Sequence, residues 1–171
     1  MNFSNRKIAG VLLFVGSAQF IVAMIIAEAV FPGYSVFKNF MSDLGTWNQP
    51  SAFIFDSSLI LMGLCNIAGS YFIQRIFRIR GITALFALLG TGSVVAGIFP
   101  ENILMVNGIP VPHTIGAIIA FVAGAIVPIA SFKIAGSPLQ VSRGDHWRNL
   151  NFRYRALFCI CWFSTFDNLR F

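Results

Sequence analysis

Residues 75–99 read RIFRIRGITALFALLGTGSVVAGIF. Arg75, Arg78 and Arg80 open the stretch, and Gly81 to Phe99 follow without one ionisable side chain. About 20 apolar residues let an α-helix cross about 30 Å of hydrocarbon. Before the arginines lies a run of the same kind, Ala52 to Gln74, interrupted only by Asp56 near its start. Two such runs joined by a short basic link predict a helical hairpin in a membrane, with the link at a headgroup surface.

Working outward, two more apolar runs appear, from about Ile8 to Phe31 and from about Thr114 to Ile134. Backbone groups in lipid must be satisfied internally, and no alternating ten-residue pattern suggests a barrel, so helices are expected. The fold class read from the chain is therefore all-α, a polytopic transmembrane helix bundle with at least four spans over residues 1–135. Composition agrees. Hydrophobic residues make up 57% and charged residues 11% of the 171 positions, against about 45–50% and about 25% in soluble domains. A soluble core of this size has no room for that much apolar surface.

The formal charge of +6, from 12 Lys+Arg against 6 Asp+Glu, raises the question of nucleic acid. The basic residues sit beside apolar runs, however, which points to topology and to anionic headgroups. Membrane lipids are thus the expected partners, and nucleic acid is not. Arg6 and Lys7 precede span one, Arg75, Arg78 and Arg80 link spans two and three, and Arg143, Arg148, Arg153 and Arg155 follow span four. The loops 32–51 and 100–113 hold only Lys38 among the lysines and arginines. The positive-inside rule then gives a multi-pass cell-membrane protein with a cytoplasmic N-terminus. Ala27-Glu28-Ala29 resembles a signal-peptide cleavage site, but the apolar run before it is too long for one, so an uncleaved span is expected.

After Pro138 the composition shifts to Arg, Asn, Trp and Phe. The tail, 136–171, reads as an interfacial amphipathic piece or as the remnant of a further helix. Cys159 and Cys161 form a C-x-C without nearby metal-ligand partners, and Cys65 lies inside an apolar run, so neither a disulfide framework nor a zinc knuckle is expected.

Helix faces follow from small and polar residues. Gly116, Ala120 and Gly124 recur on span four, and Gly92 with Ala96 and Ser93 with Gly97 on span three. This spacing suits close helix approach. Asp56, Gly63 and Ser70, with Asn66 beside them, form a stripe on span two, as do Gly16, Gln19, Ala23 and Ala27 on span one. Both stripes should face the bundle, with Gln19 and Asn66 bonding between helices.

On this topology Glu28, Asp43, Asp56 and Glu101 all fall at the outer face, and His113 opens span four at the same level. Ionisable groups near membrane depth usually face a cavity or one another. Asp43, Asp56, Glu101 and His113 are oxygen and nitrogen donors suited to a divalent metal. Asp43, Glu101 and His113 equally suit general acid–base catalysis, with Ser42 or Asn39 assisting. Each also has a structural reading: Asp43 as a cap or turn residue before Gly45, Glu101 as a solvated loop acid, and His113 as a hydrogen-bonded first-turn residue.

Tyr34-Ser35, Asn39 and Ser42-Asp43-Leu44-Gly45, then Phe99-Pro100-Glu101 and His113, together resemble the membrane-protein family catalogued as domain of unknown function 998. The resemblance covers roughly residues 8–135, and the chain departs from the pattern after about Pro138. It implies a multi-pass bundle, with no settled activity attached. The layout is also loosely similar to membrane hydrolases such as alkaline ceramidases, which use three metal-binding histidines. One outer-face histidine rules out such a three-histidine zinc site here.

Three functions are expected to compete. The first is a membrane-embedded hydrolase acting on lipid at the outer face. The second is a non-catalytic lipid- or ion-binding protein or complex subunit. The third, ranked last because no acid lies mid-span, is a transporter or channel subunit.

Overall fold

The computed structural model describes residues 5–134, so the readings made on the tail, including the C-x-C cysteines, lie outside the described residues. Four helices dominate: α1 Asn5–Val30, α2 Ala52–Phe77, α3 Arg80–Ile98 and α4 Val111–Ile134. All four contain stretches long and apolar enough to cross a membrane. A 3₁₀ turn, Met41–Gly45, lies between α1 and α2. A small antiparallel hairpin, β1 Met105–Val106 and β2 Ile109–Pro110, lies between α3 and α4. The multi-pass helical fold expected from the apolar runs is the fold observed.

The helix ends differ from the apolar runs by a few residues. α4 begins at Val111 rather than Thr114, because Pro112 falls in its first turn, where a missing N–H costs nothing. α2 continues to Phe77 and is closed by Arg78 in the left-handed conformation (φ 53°), whose N–H donates to the Gln74 carbonyl at 3.1 Å. Only Arg78 and Ile79 separate α2 from α3, which makes the two antiparallel neighbours. Across this turn the Thr83 hydroxyl donates to Gln74 Oε1 at 2.7 Å. Arg75 lies over the Tyr71 ring, 5.2 Å from its centroid, and donates to the phenol oxygen.

The chain's contacts divide it into two compact units, with the boundary between Val127 and Pro128 inside α4. The helices of the first unit pack closely. Small residues set this packing. A Cβ on Gly63 would stand 2.6 Å from the Gly90 carbonyl oxygen, and one on Gly90 would stand 2.6 Å from that of Gly63. The backbones of α2 and α3 therefore touch. Between α3 and α4, Gly92 lies against the Gly116 carbonyl and the Ala120 backbone. Between α1 and α2, Gly16 receives Cys65 and Gly69 receives Leu13.

The polar stripes face inward as expected, with one difference. Gln19 donates across the interface to the Ser58 carbonyl at 2.9 Å. Asn66 is buried but donates to the Met62 carbonyl of its own helix at 2.9 Å. A residue four positions back is within reach of a short amide, so no partner helix is needed.

These contacts define two ends. The proximal end carries the start of α1 and the α2–α3 link, with Arg6, Lys7, Arg75, Arg78 and Arg80. The distal end carries residues 31–51 and 99–110. An apolar cluster of Phe20, Ala27, Leu44, Phe55 and Met62 lies below the distal loops. Phe20 and Phe55 meet there with ring centroids 5.7 Å apart. A smaller share of α1 and α4 is covered by protein than of α2 and α3. Beyond the polar start of α1, the exposed side chains of the flanking helices are apolar, among them Phe14 and Ile25 on α1 and Ile118 and Val122 on α4. That is the surface lipid solvates.

The close α3–α4 approach predicts that Gly92→Leu lowers stability by about 1–3 kcal/mol, because the new side chain meets backbone that has no room to move. Gly10→Ala and Gly81→Ala, whose surroundings are open, should leave stability unchanged or raise it by up to about 1 kcal/mol. Thermal unfolding in detergent compares the three, and equal midpoints would contradict the packing.

Candidate functional site at the distal end

The first distal loop is held by its own side chains at intervals of four residues. Asn39 Oδ1 accepts the Ser35 N–H at 3.1 Å, and Asn39 Nδ2 donates to Asp43 Oδ2 at 3.1 Å. The same Asp43 oxygen accepts the Phe40 N–H at 3.0 Å, which starts the 3₁₀ turn. Leu44 next to it is fully buried in the apolar cluster, and its carbonyl accepts the buried Ser51 hydroxyl at 2.8 Å. Gly45 then passes so close to Asp56 that a Cβ would collide with its Oδ1. A glycine is required here for close approach, not for a special φ. Ser35, Asn39, Asp43, Leu44 and Gly45 thus act as one unit that folds the loop back on the start of α2.

Burial holds the Tyr34 phenol above its ordinary pKa, and the negative charges of Glu28 and Asp43 add to the effect. The group stays a protonated donor at neutral pH. Tyr34 also packs edge-on against Phe31, with ring centroids 5.6 Å apart.

The second distal loop is tied in by two residues. His113 is buried at the start of α4, and its Nδ1 lies 3.0 Å from both the Ala96 and the Phe99 carbonyl oxygens. Both partners only accept, so Nδ1 carries a proton and donates to them. This fixes the tautomer and makes Nε2 the basic nitrogen of the neutral ring. His113 also ties the start of α4 to the last carbonyls of α3, which helix geometry leaves unpaired. Asn102 joins the two loops: its Oδ1 accepts the Trp47 N–H at 2.8 Å, and its Nδ2 donates to the Trp47 carbonyl at 3.2 Å.

The sequence-derived site residues therefore share one end of the bundle without forming one cluster. Among the described residues, no three His, Cys, Asp or Glu side chains are gathered where they can hold a metal ion. Asp43, Asp56, Glu101 and His113 are therefore not gathered into one metal site. The bonds above show why, since Asp43 turns toward Asn39 and Phe40 and His113 turns Nδ1 toward α3. Ser42 is half-buried within the 3₁₀ turn. Asp56 and Glu101 differ from the rest: Asp56 Oδ1 and Glu101 Oε2 are enclosed by the protein without a hydrogen-bond partner.

Two ties of the distal end were missed in the sequence, the Asn102–Trp47 pair and the Ser51–Leu44 bond. Both run through backbone atoms, so residue type at one of the two partners carries no signal.

A bundle of four apolar helices with a polar, looped distal end defines a multi-pass α-helical membrane protein. The profile of the family described as "Protein of unknown function (DUF998)" matches residues 14–166, and the chain belongs to that family. The match runs past Pro138 into the tail, which corrects the departure from the pattern expected there. No curated protein matches the chain. No solved structure matches it.

The bonding at Asp43 and His113 predicts that Asp43→Ala, which strands the Asn39 amide and the Phe40 N–H, lowers stability by about 1–3 kcal/mol. His113→Ala should cost a similar amount, and His113→Asn less, because an asparagine amide can donate from nearly the same place as Nδ1. Thermal midpoints in detergent read the order. An alanine variant at either position as stable as the parent would show that these bonds do not hold the end together.

Proposed function

We propose that this is a non-catalytic membrane protein that receives a cationic group at its distal end, which faces outward. The N-terminus is then cytosolic, in keeping with the basic residues of the proximal end and the positive-inside rule. The observation that carries the reading is the pair of enclosed, partnerless oxygens on Asp56 and Glu101. A buried carboxylate oxygen without a donor is costly, and a cation or an ammonium group relieves that cost. The other candidates support binding over catalysis, because the Asp43 carboxylate and His113 Nδ1 are already used in holding the loops. At the end of a membrane bundle, the cation is either the amine of a lipid headgroup or a free metal ion.

Two arms of one experiment separate these sources. Purified protein is followed by thermal unfolding, first in phosphatidylcholine nanodiscs with and without phosphatidylethanolamine, then in detergent with calcium or magnesium chloride. The cationic partner should raise the midpoint of the parent, and Asp56→Asn with Glu101→Gln should abolish the rise. A midpoint indifferent to every cation, or an equal rise in the double variant, would sink the proposal.

One observation favours the hydrolytic alternative: His113 has its Nδ1–H anchored, which leaves Nε2 as a base. His113→Asn retains the anchoring donor and removes that base. Under the hydrolytic reading it abolishes turnover of a lipid ester by purified protein while the fold survives. Turnover equal to the parent's, or none in the parent, leaves the binding reading in place.

A further inference from the structure

The hairpin between α3 and α4 has a composition unsuited to water. Residues 102–112, NILMVNGIPVP, contain no ionisable side chain. Leu104, Met105, Val106 and Ile109 are each more than half exposed. The turn is Asn107-Gly108, both at positive φ (52° and 80°), with Val106 paired to Ile109 and Met105 to Pro110. This is the tight turn that right-twisted strands favour, and glycine supplies its second left-handed position. The hairpin is thus a built element that leaves its apolar side chains uncovered by protein.

Its depth follows from α3. That helix has 19 residues, or about 28 Å, which barely spans hydrocarbon about 30 Å thick. With Arg80 at the proximal headgroups, Ile98 lies at the far edge of the hydrocarbon. The chain does not rise far after that. Ile103 N–H turns back to the Pro100 carbonyl at 3.1 Å, Asn102 holds Trp47, and α4 re-enters the bundle straight after Pro110. The strands have two residues each and rise only about 7 Å, comparable with a headgroup layer of about 5–8 Å. The exposed apolar surface is also continuous with the lipid-facing one, since Ile98 before the hairpin and Ile115 after it are both more than half exposed.

Two opposing costs set the position. The apolar side chains favour leaving water. The unpaired strand edges keep the hairpin out of the hydrocarbon core, where unmet backbone groups are expensive. Only the interface satisfies both. The clamp partner Trp47 is itself exposed, and tryptophan prefers that layer.

We infer that the Met105–Pro110 hairpin is a lipid-docking element, which lies in the interfacial layer of the leaflet at the distal end with the cross-strand pair Val106 and Ile109, which share one face, against the acyl-chain boundary. The inference stands apart from the proposed cation site, because neither Asp56 nor Glu101 enters it.

The test places a nitroxide at Val106 (Val106→Cys) and, separately, at Ile109 (Ile109→Cys), in the full chain with Cys65, Cys159 and Cys161 replaced by alanine or serine. The label is studied in phosphatidylcholine–phosphatidylglycerol vesicles, with Arg78→Cys as the control in the basic link. Collisions with oxygen, which concentrates in lipid, should exceed those with a water-soluble nickel chelate severalfold at the hairpin, and the order should reverse at the control. A hairpin label at either position that meets the chelate more often than oxygen overturns the inference and marks the hairpin as a surface for a protein partner. A lipid-shielded label in a protein that shows no cation response would uphold the docking element and reject the cation site alone.

Discussion

Lipid offers a peptide group nothing to bond with, and nearly everything in this chain follows from that. Each span must close its own backbone bonds, which requires helices, and neighbouring helices gain little by hiding apolar side chains that lipid already solvates. What holds such helices together is contact at short range. The mutual approach of Gly63 and Gly90, and of Gly92 to Gly116, brings backbone against backbone along α2, α3 and α4. The side chains outside those seams then face the acyl chains. The distal loops depend on the same seams, since Gly97 lies against the Asp56 carbonyl and so fixes the level at which α3 ends beside α2.

The distal end has a different chemistry. Its side chains form two sets of ties, one within the first loop through Asn39 and Asp43, the other between elements through His113 and Asn102. A polar residue that fastens a loop beside lipid gains from the low local polarity, because water competes less for its bonds. That explains why polar residues gather here without converging on one point. They fasten separate stretches of chain. Asp56 Oδ1 and Glu101 Oε2, enclosed without a hydrogen-bond partner, fasten nothing.

The fold was legible in the sequence because span length and the distribution of arginine are one-dimensional signals. The apolar runs 52–74 and 81–99 found α2 and α3 to within a few residues at each end. The inward stripes on spans one and two were legible for the same reason, since helical spacing puts Gly63, Asn66 and Ser70 on one face. The level shared by Asp43, Asp56, Glu101 and His113 was readable from topology as well. Their mutual orientation was not. Asp43 can face a metal or its own loop with the same neighbours in sequence, and the choice is made by Asn39, whose amide gives Asp43 a nearer partner. Asn66 turned to its own helix rather than across the interface because reach, which spacing does not encode, decided between two acceptors. The β-hairpin was overlooked although Asn107-Gly108 is a recognised turn pair, because four residues of strand leave too short a pattern beside long apolar helices.

The tie between the distal loops has an uneven chemistry. Asn102 contributes its side-chain amide, whereas residue 47 contributes only the N–H and carbonyl that almost every amino acid carries. Among related chains, position 47 is therefore free to drift through nearly any residue that possesses an amide hydrogen, with proline the exception. Position 102 is confined to side chains that present a donor and an acceptor together. Two partners in one interaction should thus carry very different mutational loads, and comparison of their substitution spectra would reveal the tie without any structure.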